Sequence, residues 1–355
     1  MNPYALSTLP INMEFETAKV LKKLTYAHRA LAELKGVSKS IPNQTILINT
    51  LGLQEAKDSS AVENIITTHD DLYKAELKAK SEISLESKEV QNYIEALKRG
   101  FGIVNKQKLL TIRTITEIQA TLEKNNAGLR KVPGTTLKNN TTGEVIYTPP
   151  QDYQTVVDLM SNLERYINDD DLSDLDPLVK MAVIHFQFES IHPFYDGNGR
   201  TGRIINVLYL VLQNLLDLPI LYLSKFIISN KSEYYKKIQD VRDDNNFEDW
   251  ILFILDGVEQ TAKDTIRKIL QIQSLLLKQK HLIRKNYKFY SQDLLNNLFK
   301  HPYTKIEFIE NDLKVSRITA ASYLNKLSDD GILIKKKLGV TNYYINQELF
   351  EILSK

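Results

Sequence analysis

Twelve consecutive residues, HPFYDGNGRTGR at positions 192–203, combine groups that bind phosphate with a group that can move a proton. Gly197-Asn198-Gly199 directly precedes an apolar helical segment, and glycines there let successive backbone N–H groups turn toward an anion. The N-terminus of the helix adds about half a positive charge at the same place. The segment therefore predicts a phosphate site at the start of a helix.

Charged side chains in the same segment extend this prediction to a nucleotide. Arg200 and Arg203 are three positions apart on the first helical turn, so both guanidinium groups can converge on phosphate oxygens. Asp196 precedes the turn, where a carboxylate beside a polyphosphate typically holds Mg²⁺. We expect a nucleoside diphosphate or triphosphate with magnesium.

His192 is the group in this segment that is suited to accept a proton at neutral pH, because the unperturbed pKa of histidine is about 6.5. A base beside a phosphate chain suggests transfer of a phosphorus-containing group to a hydroxyl. The four-residue spacing of His192 and Asp196 would also suit a helical zinc pair, but Pro193 and the two glycines disfavour one regular helix there. The sequence contains no P-loop, HExxH or GxSxG motif.

Composition limits the class of protein. The 355 residues are 43% hydrophobic and 25% charged, as in an ordinary globular protein, and the net charge of +2 disfavours a surface built throughout for nucleic acid. The absence of cysteine excludes disulfides and thiolate metal sites and fits a reducing compartment. Neither a signal peptide nor a membrane span is evident, so we expect a cytoplasmic protein without a membrane partner.

Helical periodicity dominates the chain and must supply the elements that position these groups. Asp176 is predicted to cap one helix, with Pro177 as its first residue, and another helix is expected to begin near Asp58 or Ser59, either of which could cap it. The apolar segment 203–216 predicts a central buried helix, and the last helix is long enough to leave the domain as a connector. The periodic segments are 17–35, 46–55, 87–101, 105–124, 151–168, 176–191, 203–216, 231–243 and 247–280.

Two segments depart from this pattern. Residues 125–150 are rich in Gly, Asn, Thr and Pro around the β-prone piece Glu144–Thr148, which predicts a loop carrying a small hairpin. Residues 303–355 contain two helix-like segments, 305–313 and 316–331, followed by two β-prone runs separated by Leu338-Gly339. This order is typical of a winged helix-turn-helix.

The expected fold is therefore an all-α bundle with a small β-hairpin flap and a C-terminal winged helix-turn-helix domain. We predict four regions: an N-terminal helical region at 1–100, a core domain at 101–265, a helical linker at 266–302 and the winged domain at 303–355.

The segment HPFYDGNGRTGR is similar to the signature of the Fic family, HxFx[DE]GNGRxxR, and matches it at every defined position. The resemblance extends through the helical bundle to about residue 265. Fic proteins mostly transfer AMP from ATP to a Ser, Thr or Tyr hydroxyl of a target protein and release pyrophosphate. The resemblance thus implies an enzyme, a protein adenylyltransferase that uses ATP and Mg²⁺ and modifies itself as well as another protein.

The resemblance assigns roles by position. It makes His192 the base that deprotonates the target hydroxyl and Asp196 the Mg²⁺ ligand, and Phe194 would anchor the loop in the core. The target protein would bind by strand addition along the flap at Leu137–Thr148. Some relatives carry asparagine where Arg242 falls. The residues implied for the nucleotide are Gly197, Asn198 and Gly199 as anion hole, Arg200, Thr201, Gly202 and Arg203 around the phosphates, and Tyr235 and Arg242 at the base and ribose.

A second element, SSAVEN at 59–64, resembles the inhibitory helix motif [ST]xxxE[GN] found N-terminal to the Fic core, with Ser59, Glu63 and Asn64 at the matching places. Glu63 on a helix over the site could pair with Arg203, which would then not be free to hold the γ-phosphate. The α-phosphate would sit wrongly for in-line attack, and small misplacements can cost about a hundredfold in rate. The same glutamate could instead position water for a reverse, AMP-removing reaction.

An alternative from another class is a DNA-binding regulator whose Fic core senses nucleotide without transferring it. The intact His192 and Asp196 favour the enzyme, because a sensor needs no base. Winged helices also serve protein contacts or a homodimer, and transfer of a whole phosphate is disfavoured because GNG keeps the usual anion hole. The DNA-facing candidates are Ser316, Arg317, Thr319, Ser322, Asn325, Lys326 and Lys335–Lys337.

Overall fold

A computed structural model describes residues 6–77, 83–138, 142–338 and 341–354. The chain is mostly helical, with two small antiparallel sheets, as the sequence predicts. The helices are α1 Ala18–Ser38, α2 Thr45–Val62, α3 His69–Leu77, α4 Leu85–Gln107, α5 Ile112–Glu123, α6 Tyr153–Asn168, α7 Pro177–Ile191, α8 Asn198–Leu212, α9 Ser224–Ser229, α10 Lys231–Asp244, α11 Phe247–Asn286, α12 Gln292–Lys300, α13 Ile306–Leu313, α14 Arg317–Asp329 and α15 Gln347–Ser354. The strands are β1 Leu137–Lys138, β2 Val145–Tyr147, β3 Tyr303–Lys305, β4 Ile334–Leu338 and β5 Thr341–Ile345.

The helices α7 and α8 form the centre of the bundle, and nearly every residue of both is buried. The predicted cap of α7 is confirmed, since a carboxylate oxygen of Asp176 accepts a hydrogen bond from the Leu178 N–H at 2.9 Å and Pro177 is the first helical residue. The indole N–H of Trp250 on α11 donates to the Ala182 carbonyl at 2.8 Å. A helix that is buried on nearly all sides is surrounded by neighbours that hold it, so the loop between α7 and α8 joins two fixed helices.

The helix α11 is 40 residues long and continues from the bundle to the C-terminal region. It packs along α1 in the bundle and against α15 near the C-terminus. The predicted boundary between residues 265 and 266 lies inside this continuous helix. The two regions therefore share one helix, which ends at Asn286 within the predicted linker.

The C-terminal region contains a three-stranded sheet in the order β3-β5-β4, with α13 and α14 placed where the two helices of the helix-turn-helix are predicted. This region contacts the helices that flank the predicted inhibitory motif. The Tyr303 hydroxyl donates to the Asp70 carboxylate at 2.6 Å, and the rings of Tyr73 and Tyr303 are 5.4 Å apart. The C-terminal region thus packs on α3, next to the segment that carries Glu63.

The predicted hairpin in the loop at 125–150 is present as β1 paired with β2. Tyr147 is buried, whereas Val145 and Ile146 are 40% and 43% exposed. Residues 139–141 of the predicted flap lie outside the described residues. The outer part of β2 is therefore accessible at the surface.

Two helix boundaries predicted from sequence are wrong. No helix begins at Asp58 or Ser59, because α2 continues through both to Val62. Ser59 does not cap a helix; its hydroxyl accepts a hydrogen bond from Arg203 instead. The predicted helical segment 105–124 is interrupted after Gln107, where Lys108 adopts a left-handed conformation with φ 55° and ends α4. Thr111 then caps α5 by accepting from the Thr114 N–H.

Candidate active site

The motif loop reverses the chain between α7 and α8 through two residues in the left-handed region. His192 ends α7 with φ 49° and ψ 59°, and Gly197 precedes α8 with φ 76°. A glycine at the start of α8 provides no side-chain oxygen to the N–H groups of the first helical turn. Those N–H groups and the helix dipole are the features that bind phosphate.

Asn198 holds this loop closed through its side-chain amide. Its Oδ1 accepts from the Phe194 N–H at 2.9 Å, and its Nδ2 donates to the Phe194 carbonyl at 2.8 Å. Phe194 is fully buried and packs near Phe188, so the predicted anchor in the core is present. The asparagine of the GNG segment thus shapes the loop with its side chain, while its backbone lies at the start of α8.

We expect Asn198→Ala to lower the free energy of unfolding by about 1–3 kcal/mol, because it leaves the buried Phe194 N–H and carbonyl without these partners. Urea denaturation followed by circular dichroism measures the loss. Asn311→Ala, which changes an exposed asparagine on α13, serves as the comparison. An Asn198 variant as stable as the wild type would contradict this role.

The imidazole of His192, the predicted base, is neutral. Burial of the imidazole, followed by the positive charges of Arg130 and Arg242, lowers the pKa of His192 to about 4. The ring is therefore uncharged at neutral pH and has a nitrogen lone pair available to accept a proton. Its backbone is held on both sides, since the His192 N–H donates to the Phe188 carbonyl and the His192 carbonyl accepts from Arg130, at 2.9 Å and 2.8 Å.

Arg203 is buried and bound to two residues of the predicted inhibitory motif. Its Nε donates to the Ser59 hydroxyl at 2.8 Å, and its Nη2 donates to the Ser59 carbonyl at 2.9 Å and to Glu63 Oε1 at 2.8 Å. Burial alone would raise the pKa of Glu63, but the charge of Arg203 outweighs it and lowers that pKa. The carboxylate therefore stays ionised at neutral pH and paired with the arginine.

The local backbone explains the other positions of this motif. Asn64 follows the end of α2 with φ 65°, a conformation that asparagine and glycine tolerate best and that commonly ends helices. The inhibitory motif [ST]xxxE[GN] allows either Gly or Asn at its last position, in agreement with this preference. Gly199 faces Glu63 so closely that a Cβ atom there would lie 2.4 Å from Glu63 Oε1. A side chain at position 199 would displace the glutamate.

Arg200 lies in a separate ion-pair cluster. Its Nη1 contacts Glu89 at 2.5 Å, and its Nη2 contacts Glu123 at 2.8 Å. Burial raises the pKa of Glu123 to about 7. The positive charge of Arg200 opposes this increase, and the negative charge of Asp196 adds to it. Arg200 is 4% exposed, so its predicted approach to phosphate requires these carboxylates to release it.

Asp196 is exposed at the mouth of the loop, and its Oδ1 accepts from the Gly197 N–H at 2.7 Å. Within the described ranges, the His, Asp and Glu side chains form no group of three that could hold a metal ion. Mg²⁺ usually binds proteins through one or two carboxylates and completes its shell with phosphate oxygens and water. A single accessible carboxylate therefore fits a Mg²⁺ ion that arrives with a nucleotide.

The remaining nucleotide candidates line the same region. Arg242 lies 3.7 Å from the ring centroid of Tyr147 in the flap, and its Nη2 donates to the Ser190 hydroxyl at 3.2 Å. Tyr235 lies on α10 and is 46% exposed. Thr201 is fully buried, and a Cβ at Gly202 would lie 2.6 Å from Glu189 Oε1. A side chain at position 202 would displace the Glu189 carboxylate.

Two residues at the loop were missed from the sequence. The Arg130 guanidinium donates to the His192 carbonyl, and the Tyr195 hydroxyl accepts from the Lys131 and Val132 N–H groups at 2.8 Å and 3.2 Å. Arg130 lies in a segment rich in Gly, Asn and Pro, where an arginine is normally exposed. The spacing of residues in the sequence does not identify Arg130 as a site residue, because its partners are backbone carbonyls that are distant in the sequence.

The candidate DNA-facing residues lie on α14 and β4. Arg317 and Lys336 are exposed, whereas Lys335 donates to the Asn325 side chain at 2.7 Å. Asn325 also accepts from the Tyr344 hydroxyl, so this part of the surface has a structural function. DNA binding stays a prediction.

Among the described residues, none of the helices has the length and apolar character that crossing a membrane requires.

Three family models match successive parts of the chain. The Fic/DOC family N-terminal model matches residues 21–102, and the Fic/DOC family model matches residues 109–210. The third, described as the C-terminal domain of SoFic-like protein adenylyltransferases, matches residues 275–349. The second match includes His192 and the whole GNG segment.

Curated relatives agree with these matches over part of the chain. Proteins named protein adenylyltransferase Fic from Drosophila erecta and Drosophila melanogaster are each 31% identical over 103 residues, or 29% of this chain. The matched region spans 19% and 20% of those two relatives, about a fifth of their length.

Solved structures support the fold. A Fic family protein from Desulfovibrio desulfuricans has a TM-score of 0.57 at 16% identity, with 94% of this chain and 97% of that chain covered. Fic-1 from C. elegans has a TM-score of 0.52 at 18% identity and covers 70% of this chain and 72% of its own. With the motif, the fold and three consecutive family models in agreement, the chain belongs to the Fic/DOC family and carries a SoFic-like C-terminal domain.

Proposed function

We propose that this chain is a protein adenylyltransferase that transfers AMP from ATP to a Ser, Thr or Tyr hydroxyl of a target protein and of itself. The observation that carries this proposal is the neutral His192 beside the start of α8, where phosphate would bind. The names of the curated relatives support the same activity. A phosphate-binding loop without a base would suit a nucleotide sensor better.

The reaction follows from these positions. The ATP phosphates lie at the N-terminus of α8, where the backbone N–H groups and Arg203 stabilise their charge. Asp196 would hold a Mg²⁺ ion that arrives with the nucleotide, and such an ion would supply positive charge to neutralise the phosphates and orient the leaving group. His192 accepts the proton of the target hydroxyl, the hydroxyl oxygen forms a bond to the α-phosphorus, and the bond from that phosphorus to the β-phosphate oxygen breaks. Pyrophosphate leaves, and AMP stays on the target.

We propose that Glu63 inhibits this reaction within the same chain. Arg203 is the residue that would hold the γ-phosphate, and it is instead held by Ser59 and Glu63. ATP that binds against this arrangement lacks its γ-phosphate contact, so the α-phosphate is not aligned for attack. Because Glu63 is about one-third exposed, at 35%, it can leave without unfolding the bundle.

The proposed target site is the exposed part of the flap. Strand β2 presents Val145 and Ile146 at the surface, and an extended target segment can add to such a strand through backbone hydrogen bonds. The buried Tyr147 on the same strand contacts Arg242 and donates to the Ser190 carbonyl at 2.8 Å. The flap is thus connected to the end of α7, directly before His192.

Adenylyl transfer can be distinguished from other functions by whether the protein retains the α-phosphate or the γ-phosphate of ATP. Purified Glu63→Gly protein is incubated with α-labelled or γ-labelled ATP and Mg²⁺, and the protein is separated and counted. We expect label from the α position only, since pyrophosphate carries the γ-phosphate away. Label from the γ position would instead indicate phosphate transfer. If the protein binds nucleotide but no protein becomes labelled from either position, even after cell lysate is added, the transferase proposal is wrong and a nucleotide sensor is favoured.

A further inference from the structure

Arg130 makes an unusual set of contacts around the candidate base. The residue is 1% exposed and lies between α5 and the flap. Its Nε donates to the His192 carbonyl at 2.8 Å, and its Nη2 donates to the Ile191 carbonyl at 3.3 Å and to the Pro150 carbonyl. Its backbone N–H donates to the Pro193 carbonyl at 2.8 Å. One residue thus contacts three consecutive carbonyls centred on His192.

A buried guanidinium normally has a carboxylate partner, because removing a charge from water is costly. In the described part of the chain, Arg130 has backbone carbonyls as partners and forms no ion pair. Arginine suits this arrangement because its planar group presents five donors in a fixed geometry. The guanidinium can thus donate to the carbonyls of residues 150, 191 and 192 from two of its nitrogens, whereas lysine presents all its donors on one nitrogen.

These contacts act on two parts of the site at once. His192 has φ 49°, a conformation that costs residues other than glycine about 1–3 kcal/mol and needs support from its surroundings. Arg130 supplies support on the carbonyl side of that turn. The same guanidinium reaches Pro150, which follows the flap strand β2. It therefore joins the end of the flap, where the target is expected, to the residue that would deprotonate the target.

We infer that Arg130 is a positioning residue that sets the orientation of His192 and fixes the flap relative to it. This inference rests on the proposed adenylyl transfer. Arg130 contacts the backbone on both sides and need not touch ATP. Its loss should therefore slow the chemical step and leave nucleotide binding largely intact.

The charge of Arg130 provides a second, independent signature. It is the largest cause after burial that lowers the pKa of His192. Removing this charge makes the imidazolium easier to form, so the pKa of His192 rises and the base is protonated at a higher pH. Because burial lowers the same pKa, a variant that keeps a positive charge at position 130 separates the effect of the charge from that of the packing.

The test compares Arg130→Gln and Arg130→Lys with their Glu63→Gly parent. We expect kcat for self-modification to fall about tenfold to a hundredfold in both variants, because small misplacements of a reacting group have effects of that size. The KM for ATP should stay within about twofold, since the contacts are not with nucleotide. The acid limb of the pH–rate profile should move to higher pH in Arg130→Gln and stay in place in Arg130→Lys, which keeps the charge.

Titration of the His192 ring by NMR in the same proteins does not depend on activity, so it separates this inference from the proposed function. We expect a higher pKa in Arg130→Gln than in its parent even if no label transfers. Arg113→Gln, which removes an exposed arginine on α5, is the matched control and should change neither measurement. The inference is overturned if folded Arg130 variants keep the parental kcat and titration, or if they lose only thermal stability.

Discussion

Glu63→Gly is expected to raise the rate of self-adenylylation from α-labelled ATP by about a hundredfold over the wild type, the size of effect that correct alignment of a reacting group can have. In the structure, Glu63 Oε1 lies 2.8 Å from Arg203 Nη2 and occupies the guanidinium. Without the carboxylate, Arg203 can bind the γ-phosphate, and the α-phosphate can align with the attacking hydroxyl. Glycine is tolerated at this position because it lies at the end of α2.

Two further variants separate the charge of Glu63 from its shape. Glu63→Gln keeps the size of the side chain and removes its charge, so we expect activation close to that of the glycine variant. Glu33→Gln changes an exposed glutamate on α1 and should behave as the wild type. Equal labelling of wild type and both Glu63 variants, measured as initial rates with saturating ATP, would show that the contact with Arg203 does not limit the reaction.

His192→Ala in the Glu63→Gly background is expected to lower the labelling rate by about 10²–10⁴, the range that a general base contributes. The imidazole is neutral because burial and the charges of Arg130 and Arg242 hold its pKa near 4. Alanine cannot accept the proton of the target hydroxyl. Binding of ATP, followed by calorimetry, should be nearly unchanged, because the phosphate contacts come from α8.

The matched control for this substitution is His281→Ala, which removes an exposed histidine on α11. It should leave labelling at the level of the Glu63→Gly parent. Full labelling by the His192→Ala protein would contradict its assignment as the base and would direct attention to Glu189, whose pKa is raised to about 7 by burial.

Much of the fold could be predicted because hydrophobic periodicity records which face of each helix is buried. The α7 cap at Asp176, the hairpin around Val145–Tyr147 and the buried helix after the motif follow from local signals. The two wrong helix boundaries have a shared cause. At Ser59 and at Lys108, local pattern does not tell whether a polar residue caps a new helix, continues one or ends one, because that depends on its partners.

The functional residues of the motif could be recognised in the sequence because they occupy neighbouring positions. Arg130 could not be recognised in this way. Its partners are the carbonyls of residues 150, 191 and 192, brought together only when the flap returns to the end of α7. Arg200 illustrates the same limit. The sequence places it on the face of α8 with Arg203, but the folded chain pairs it with Glu89 and Glu123 from two other helices.

By itself, the sequence supplied the family signature, the prediction of His192 as the base and a motif that predicts the pairing of Glu63 with Arg203. Each of these depends on residue types at fixed local spacing. Only the tertiary structure decided which charged side chains are bound by other residues and which are accessible at the surface. Burial and long-range partners set those states: they keep His192 neutral, pair Arg200 with Glu89 and Glu123, and surround Arg130 with backbone carbonyls. These contacts join residues far apart in the chain, and no local pattern encodes them.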